Sequence, residues 1–192
     1  VTAKVRSDIT NLTMGDNCIS IVPKDVDSSE VKILAERIFK WLTGNKIVND
    51  VESDCVLNLK GFLPGSNYKY AVEDSDIQLL NLVNNGVEII TERQVWQGVG
   101  IDKVSCASCN FDITESDWMD LVEKWFYGVE SCEMTCPSCN SIAPITDFNF
   151  EPVWAFGELG ISFWNWPPLK KEFIDEVEEV INKKVKIVYG RI

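Results

Sequence analysis

Apolar residues recur along this chain in short bursts, and their spacing switches between helical and alternating. Cys18 to Val22 is a β-rich run that stops at Pro23. Asp27-x-x-Glu30 has the form of a capping box, and Val31, Leu34, Ile38, Trp41 and Leu42 then follow at helical intervals up to Gly44. This predicts a helix over about residues 28–43. Cys55, Leu57 and Leu59 alternate with Val56, Asn58 and Lys60, a strand pattern, and Pro64-Gly65-Ser66-Asn67 reads as a turn. Ser75 to Asn84 reads as a short helix with Leu79, Leu80 and Val83 on one side. Val87–Thr91 and Gln94–Val99 are two strands close enough to form a hairpin. Trp118, Leu121, Val122 and Trp125 share one helical face, which predicts a helix over about 115–127. Trp118 and Trp125 are expected to pack it onto the main sheet.

The C-terminal part continues with apolar segments at Ile145–Phe150 and Val153–Phe156. Ile161 to Trp166 is apolar on both faces except at Ser162 and Asn165, as a central strand is. Pro167-Pro168 opens a helix, Pro168 suiting its first turn. Leu169, Phe173, Val177 and Val180 form its buried stripe, and Lys183 and Lys184 sit at its end. Val185, Ile187 and Tyr189 make a last strand. Strands and helices in this order predict an α+β fold: a mixed or antiparallel sheet, about three packing helices, and an inserted cysteine module. Residues 1–15 read as a loose arm, 16–192 as one domain, and 104–142 as the insert carrying its own helix. Ile19-Ser20 before Pro23 and Ile161-Ser162 before Pro167 weakly echo one another, as related halves would.

Composition narrows the chemistry. The 192 residues include 18 Lys and Arg, 30 Asp and Glu and no histidine, for a formal charge of −12. Every mechanism needing an imidazole from this chain is excluded, His-ligated catalytic zinc among them. The charge disfavours the phosphate backbone of nucleic acids and anionic membrane surfaces. No apolar run reaches the ~18 residues of a membrane helix. The acidity fits simple solubility first, and after that a protein partner, a basic one among the candidates. Four of the seven cysteines form two C-x-x-C pairs, which is metal usage in a reducing compartment more than a disulfide framework, so a cytoplasmic location is expected.

Cys106-Ala107-Ser108-Cys109 and Cys136-Pro137-Ser138-Cys139 are separated by 26 residues. Two residues between thiolates let a tight turn aim both sulfurs at one metal, and two such turns supply four ligands. The pair, with the proline inside the second, resembles a zinc ribbon or a rubredoxin-type pair of metal knuckles. The resemblance covers residues 106–139 only. It implies metal ligation by Cys106, Cys109, Cys136 and Cys139. Asn110 and Asn140 stand where glycine often follows the second cysteine, and both tolerate a left-handed backbone. One structural zinc per chain is the expected cofactor. Iron fits the same ligands but would need redox chemistry that the rest of the chain does not suggest. Cys132 reads as a bystander, although its position would let it substitute as a ligand. Cys18 and Cys55 read as small buried apolar residues.

Little else carries chemistry. Phosphate-cradling glycine motifs are absent. Paired acids such as Asp74/Asp76, Asp117/Asp120 and Glu176/Glu179 occur as often as this composition gives by chance, so no catalytic residue is nominated. Trp164-Asn165-Trp166-Pro167-Pro168 would serve a core strand or a recognition groove equally well. Asp117, Asp120, Trp164 and Trp166 are therefore the candidate partner surface. The expected function is a non-catalytic, intracellular protein-binding domain of inhibitor or immunity type, with a structural four-cysteine zinc site and an acidic surface. The alternative is a hydrolase-type enzyme that uses carboxylates and keeps zinc as scaffold.

Overall fold

The computed structural model describes residues 15–57, 59–74, 79–129 and 132–191. The arm expected over 1–15 and the start of the helix expected at Ser75 lie almost wholly outside them. The fold is α+β: the described residues form three helices, a six-stranded antiparallel sheet and three two-stranded ribbons.

The sheet is built from β1 (Asn17–Pro23), β2 (Val48–Val56), β3 (Leu59–Pro64), β4 (Val87–Ile90), β11 (Gly160–Trp164) and β12 (Val185–Arg191). Its order is β12-β1-β11-β4-β3-β2, with every neighbouring pair antiparallel. All five residues of β11 are buried, as its two-sided apolar sequence requires of a central strand. Helices α1 (Val31–Gly44) and α3 (Lys171–Ile181) pack on one another and on one face of the sheet. Val31, Leu34, Ile38 and Leu42 of α1 meet Phe173, Val177 and Ile181 of α3 over Ile19, Ile21, Ile161 and Phe163. The amide of Asp27 donates to the Glu30 carboxylate, one half of the predicted capping box. Gly65 is fixed by crowding: a Cβ there would lie 2.2 Å from the Lys46 carbonyl oxygen.

Part of the other sheet face, around Val22, Gly160 and Val188, is covered by an excursion of the chain between β4 and β11. It rises through β5 (Gln94–Trp96) and β6 (Lys103–Ser105) and returns through β9 (Asn149–Glu151) and β10 (Ala155–Gly157). β5 pairs with β10 and β6 with β9, so the two ribbons nest as a stem. Trp96 lies so close over Gly160 of β11 that a Cβ there would be 2.2 Å from the indole. At the end of the stem come α2 (Trp118–Phe126) and the ribbon β7 (Glu133–Thr135) with β8 (Ile142–Pro144).

Five local expectations change. Residues 55–60 are not one strand: β2 ends at Val56, the chain turns at Leu57, and Val56 pairs with Leu59 of β3. β2 escapes its pattern because it is an edge strand of mostly exposed polar residues. β4 and β5 do not form a hairpin, since β4 stays in the sheet while β5 leaves it to pair with β10. Over 79–84 the described chain forms only a 3-10 turn at Leu79–Asn81, and Val83 is 85% exposed while Leu79 is buried. α3 begins after the two prolines, at Lys171; Leu169 is buried ahead of it and pairs with Val72. Trp118 and Trp125 pack α2 onto the stem, against Phe150, Trp154 and Phe156, and not onto the main sheet.

The Ile-Ser echo has a counterpart in space. Ser20 of β1 lies opposite Ser162 of β11, and the two buried hydroxyls hydrogen-bond at 2.8 Å. Each satisfies the other on the sheet face away from the helices.

Candidate metal centre

The two knuckles are built alike from the backbone up. Asn110 donates its amide to the Cys106 carbonyl and Asn140 to that of Cys136, at 2.8 and 2.9 Å. Both asparagines have φ of 58°, the left-handed turn expected of them. The Cys106 amide closes its turn on the Phe111 carbonyl and the Cys136 amide on that of Ser141. The Ser108 amide also donates to Cys106 Sγ at 3.4 Å, as metal knuckles do.

These turns bring together the four predicted sulfurs. Cys106 and Cys139 Sγ are 3.9 Å apart, Cys109 and Cys136 Sγ are 3.6 Å apart, and all four lie within 4.8 Å of one another. A tetrahedral ion with metal–sulfur bonds of ~2.3 Å holds its sulfurs about 3.8 Å apart. The cluster therefore has the size of a four-thiolate metal site and could hold one ion. Cys106 and Cys136 face inward, while Cys109 and Cys139 face solvent. Seven free cysteines without a disulfide fit the same reading. Cys132 stands outside the cluster, buried in the module's core with its thiol donating to the Val129 carbonyl.

One contributor escaped the sequence reading. The Ser141 hydroxyl lies 3.1 Å from Cys139 Sγ and 3.5 Å from Cys106 Sγ. This hydroxyl, helped by the Cys109 and Ser108 amides and opposed by burial, lowers the Cys106 thiol to about 6. The same hydroxyl lowers Cys139. The Phe111 amide favours the Cys109 thiolate, yet burial and the three neighbouring sulfurs together push this thiol up to about 11. Four sulfurs this close cannot all ionise without a cation between them. The only sequence signal for Ser141 is its place two residues after Cys139.

Around the cluster, Trp118 meets Phe150 and Trp154 edge-on, and its indole N–H donates to the Thr114 carbonyl. Arg93 lies 5.2 Å over the Trp125 ring, donates to the Trp125 carbonyl and pairs with Glu158 at 2.8 Å. This contact ties α2 to the foot of the stem. The four surface candidates divide. Asp117 and Asp120 are exposed at the start of α2. Trp164 and Trp166 are core residues, only 8% and 4% exposed, so neither offers a face to a partner. The Trp164 indole reaches Glu88 and that of Trp166 the Asn85 carbonyl, which is why two polar rings tolerate burial. Among the described residues, no helix is long and apolar enough to cross a membrane. No family model matches this chain, and comparison with curated proteins and with solved structures gives no match either.

Proposed function

We propose that this chain is a non-catalytic protein-binding domain of inhibitor or adaptor type, whose four cysteines hold one structural zinc ion and whose α2 face engages a basic partner. The observation that carries this reading is the outward side of α2. Met119, Phe126 and Tyr127 stand exposed there, Tyr127 to 71%, and they alternate with Asp120 and Glu123. Asp117 adds a third acid at the helix start. Exposed aromatic and methionine side chains among carboxylates suit an apolar, cationic segment of another protein. The phosphate backbone of a nucleic acid is disfavoured by the −12 charge.

Zinc is proposed over iron because four protein thiolates leave no open position and the module needs a scaffold more than a redox centre. Reduced thiols favour a reducing compartment such as the cytoplasm. The carboxylate-enzyme alternative gains no support from Asp117 and Asp120, which stand exposed at the start of α2 and not as a buried acidic pair.

The test is capture of partners from the native host by the tagged chain and by a D117K/D120K variant, at low and moderate salt, with metal content measured on the same samples. A stoichiometric basic protein held by the wild type, released by salt and lost by the variant supports the reading. Equal capture by both chains overturns the role of this face. Iron in place of zinc overturns the metal assignment.

A further inference from the structure

A cleft of about 520 Å³ opens between the end of β1, edge strand β12 and the foot of the stem, away from the outward face of α2. Its volume is that of a small-molecule site. Lys24 and Lys186 line it, and so does Arg93, which Glu158 already neutralises.

Lys186 is the anomaly. Its side chain is half-buried, yet among the described residues no carboxylate pairs with it, and its one hydrogen bond is a long 3.4 Å contact with the Trp154 carbonyl. Lys183 makes the contrast. It is similarly sheltered but meets the Glu30 carboxylate at 2.9 Å and the Asp25 carbonyl at 2.8 Å. In a chain with 30 acids, a sheltered amine without one is out of place. Burial first, and then the charge of Lys24, lower the Lys186 amine, while Asp147 across the cleft favours its charged form from beyond ion-pair distance. Asp25 also lines the cleft. The two lysines thus repel one another across a space that an anion would relieve. The rest of the wall is mixed: Thr146 and Asn149 are polar, and of the apolar residues Val22, Phe148, Ala155 and Phe156 only Phe156 is more than marginally exposed.

We infer that this cleft binds a small organic anion, its phosphate or carboxylate seated between the amines of Lys186 and Lys24 and its carbon body against the half-buried ring of Phe156. A phosphate monoester matches both amines with its two charges; a carboxylate matches one. The site is independent of the proposed protein-binding face and does not require it.

The test titrates the full, metal-loaded chain with inorganic phosphate, phenyl phosphate and benzoate, by calorimetry and by NMR of the lysine side chains. Phenyl phosphate is expected to bind saturably, at least about tenfold more tightly than inorganic phosphate, a difference of ~1.4 kcal/mol that one buried ring face readily supplies. K186Q should weaken it by about tenfold or more and K24Q by several-fold. K186R should retain it, and K40Q, an exposed control, should leave it unchanged. In the wild type the Lys186 signal should titrate at higher pH once the ligand is bound, a readout that does not depend on any variant folding. No saturable binding of any probe up to about 10 mM overturns the inference. So does binding that survives K186Q and K24Q, or a Lys186 signal that ignores the bound ligand. Equal affinity for inorganic and phenyl phosphate overturns the role of the Phe156 ring. A preference for benzoate over phenyl phosphate overturns the assignment of one charge to each lysine.

Discussion

Between the sheet and its two helices, Ile21, Ile38, Leu42, Ile161, Phe163 and Phe173 lie almost wholly out of water. In the module, Val104, Ile113, Trp118 and Val122 share their core with Cys106, Cys132 and Cys136. The sheet's strands run to as many as nine residues, whereas β6, β7, β8 and β9 have three each. Ladders that short contribute little cooperative stability by themselves. The sheet is held by apolar burial; the module has two turns that converge on one point and need something there. The difference separates a region held by apolar burial from one that joins a smaller apolar core to a cysteine cluster, where the proposed ion would add its own stability.

Metal removal tests that separation most severely. Structural zinc contributes an apparent ~10–16 kcal/mol in small zinc-folded units. Cys106→Ser and Cys136→Ser should each lower metal content from one ion per chain to near zero and open residues 104–142 to protease, while the six-stranded sheet keeps its circular dichroism. Metal retained in both variants would defeat the four-ligand assignment. Global unfolding in either would show that the two regions are not separable. Binding must also expel the proton held by Cys109, whose thiol sits at about 11. Metal affinity should therefore rise with pH from about 6 to about 8, with proton release measurable by calorimetry in buffers of different ionisation heat.

The converse cut is through the sheet core. Phe163 is fully buried between Trp166 and Phe173. Phe163→Ala should cost ~3–5 kcal/mol and lower the melting of the whole chain. Trp118→Ala removes a ring of similar burial from the module. It should instead speed amide exchange around α2 while leaving β1 and β11 protected. Equal loss of protection in both regions from Trp118→Ala would dissolve the distinction.

A smaller effect probes how the sheet tolerates polarity on its second face. Ser20→Ala or Ser162→Ala leaves one buried hydroxyl without its 2.8 Å partner, at ~1–3 kcal/mol each. The double variant should cost clearly less than the sum, read from denaturant midpoints, because both polar groups go together. Additive losses would mean that the hydroxyls do not depend on each other.

What is legible in the sequence follows the same divide. The cysteine cluster can be read to the residue, because C-x-x-C spacing is a local rule and the asparagine turns obey it. α1, α2 and β11 can be read from periodicity, since each buries one stripe or both faces. The misread parts are those decided at a distance. β2 shows no alternation because it is a polar edge, and β5 reads as the partner of the wrong neighbour because β10 lies more than fifty residues away. The stem leaves no sequence mark beyond its aromatic residues, whose contacts with one another and with α2 exist only once the chain has folded back on itself. Trp164 and Trp166 read either way for the same reason: burial of an indole depends on whether Glu88 and the Asn85 carbonyl arrive beside it.

Glu88 offers the finest test of that last point. It sits half-buried on β4, and burial raises its carboxyl above the usual range, partly offset by the Trp164 indole N–H 3.4 Å away. A carboxyl raised in the folded state favours folding when protonated. That contribution is present in acid and is lost as pH rises through the folded value, so at neutral pH the charge is a small burden. Glu88→Gln keeps an acceptor for Trp164 and removes the charge. It should stabilise the chain at pH 7 by less than ~1 kcal/mol, the partial exposure of the group screening the rest. The gap between variant and wild type should close as the pH falls into the acid range. The measurement is a pair of urea titrations at neutral and acid pH. A destabilised variant at pH 7 would mean that the indole needs the ionised carboxylate, and that burial of Trp164 depends on a charge–dipole contact more than on packing against Cys55 and Val56.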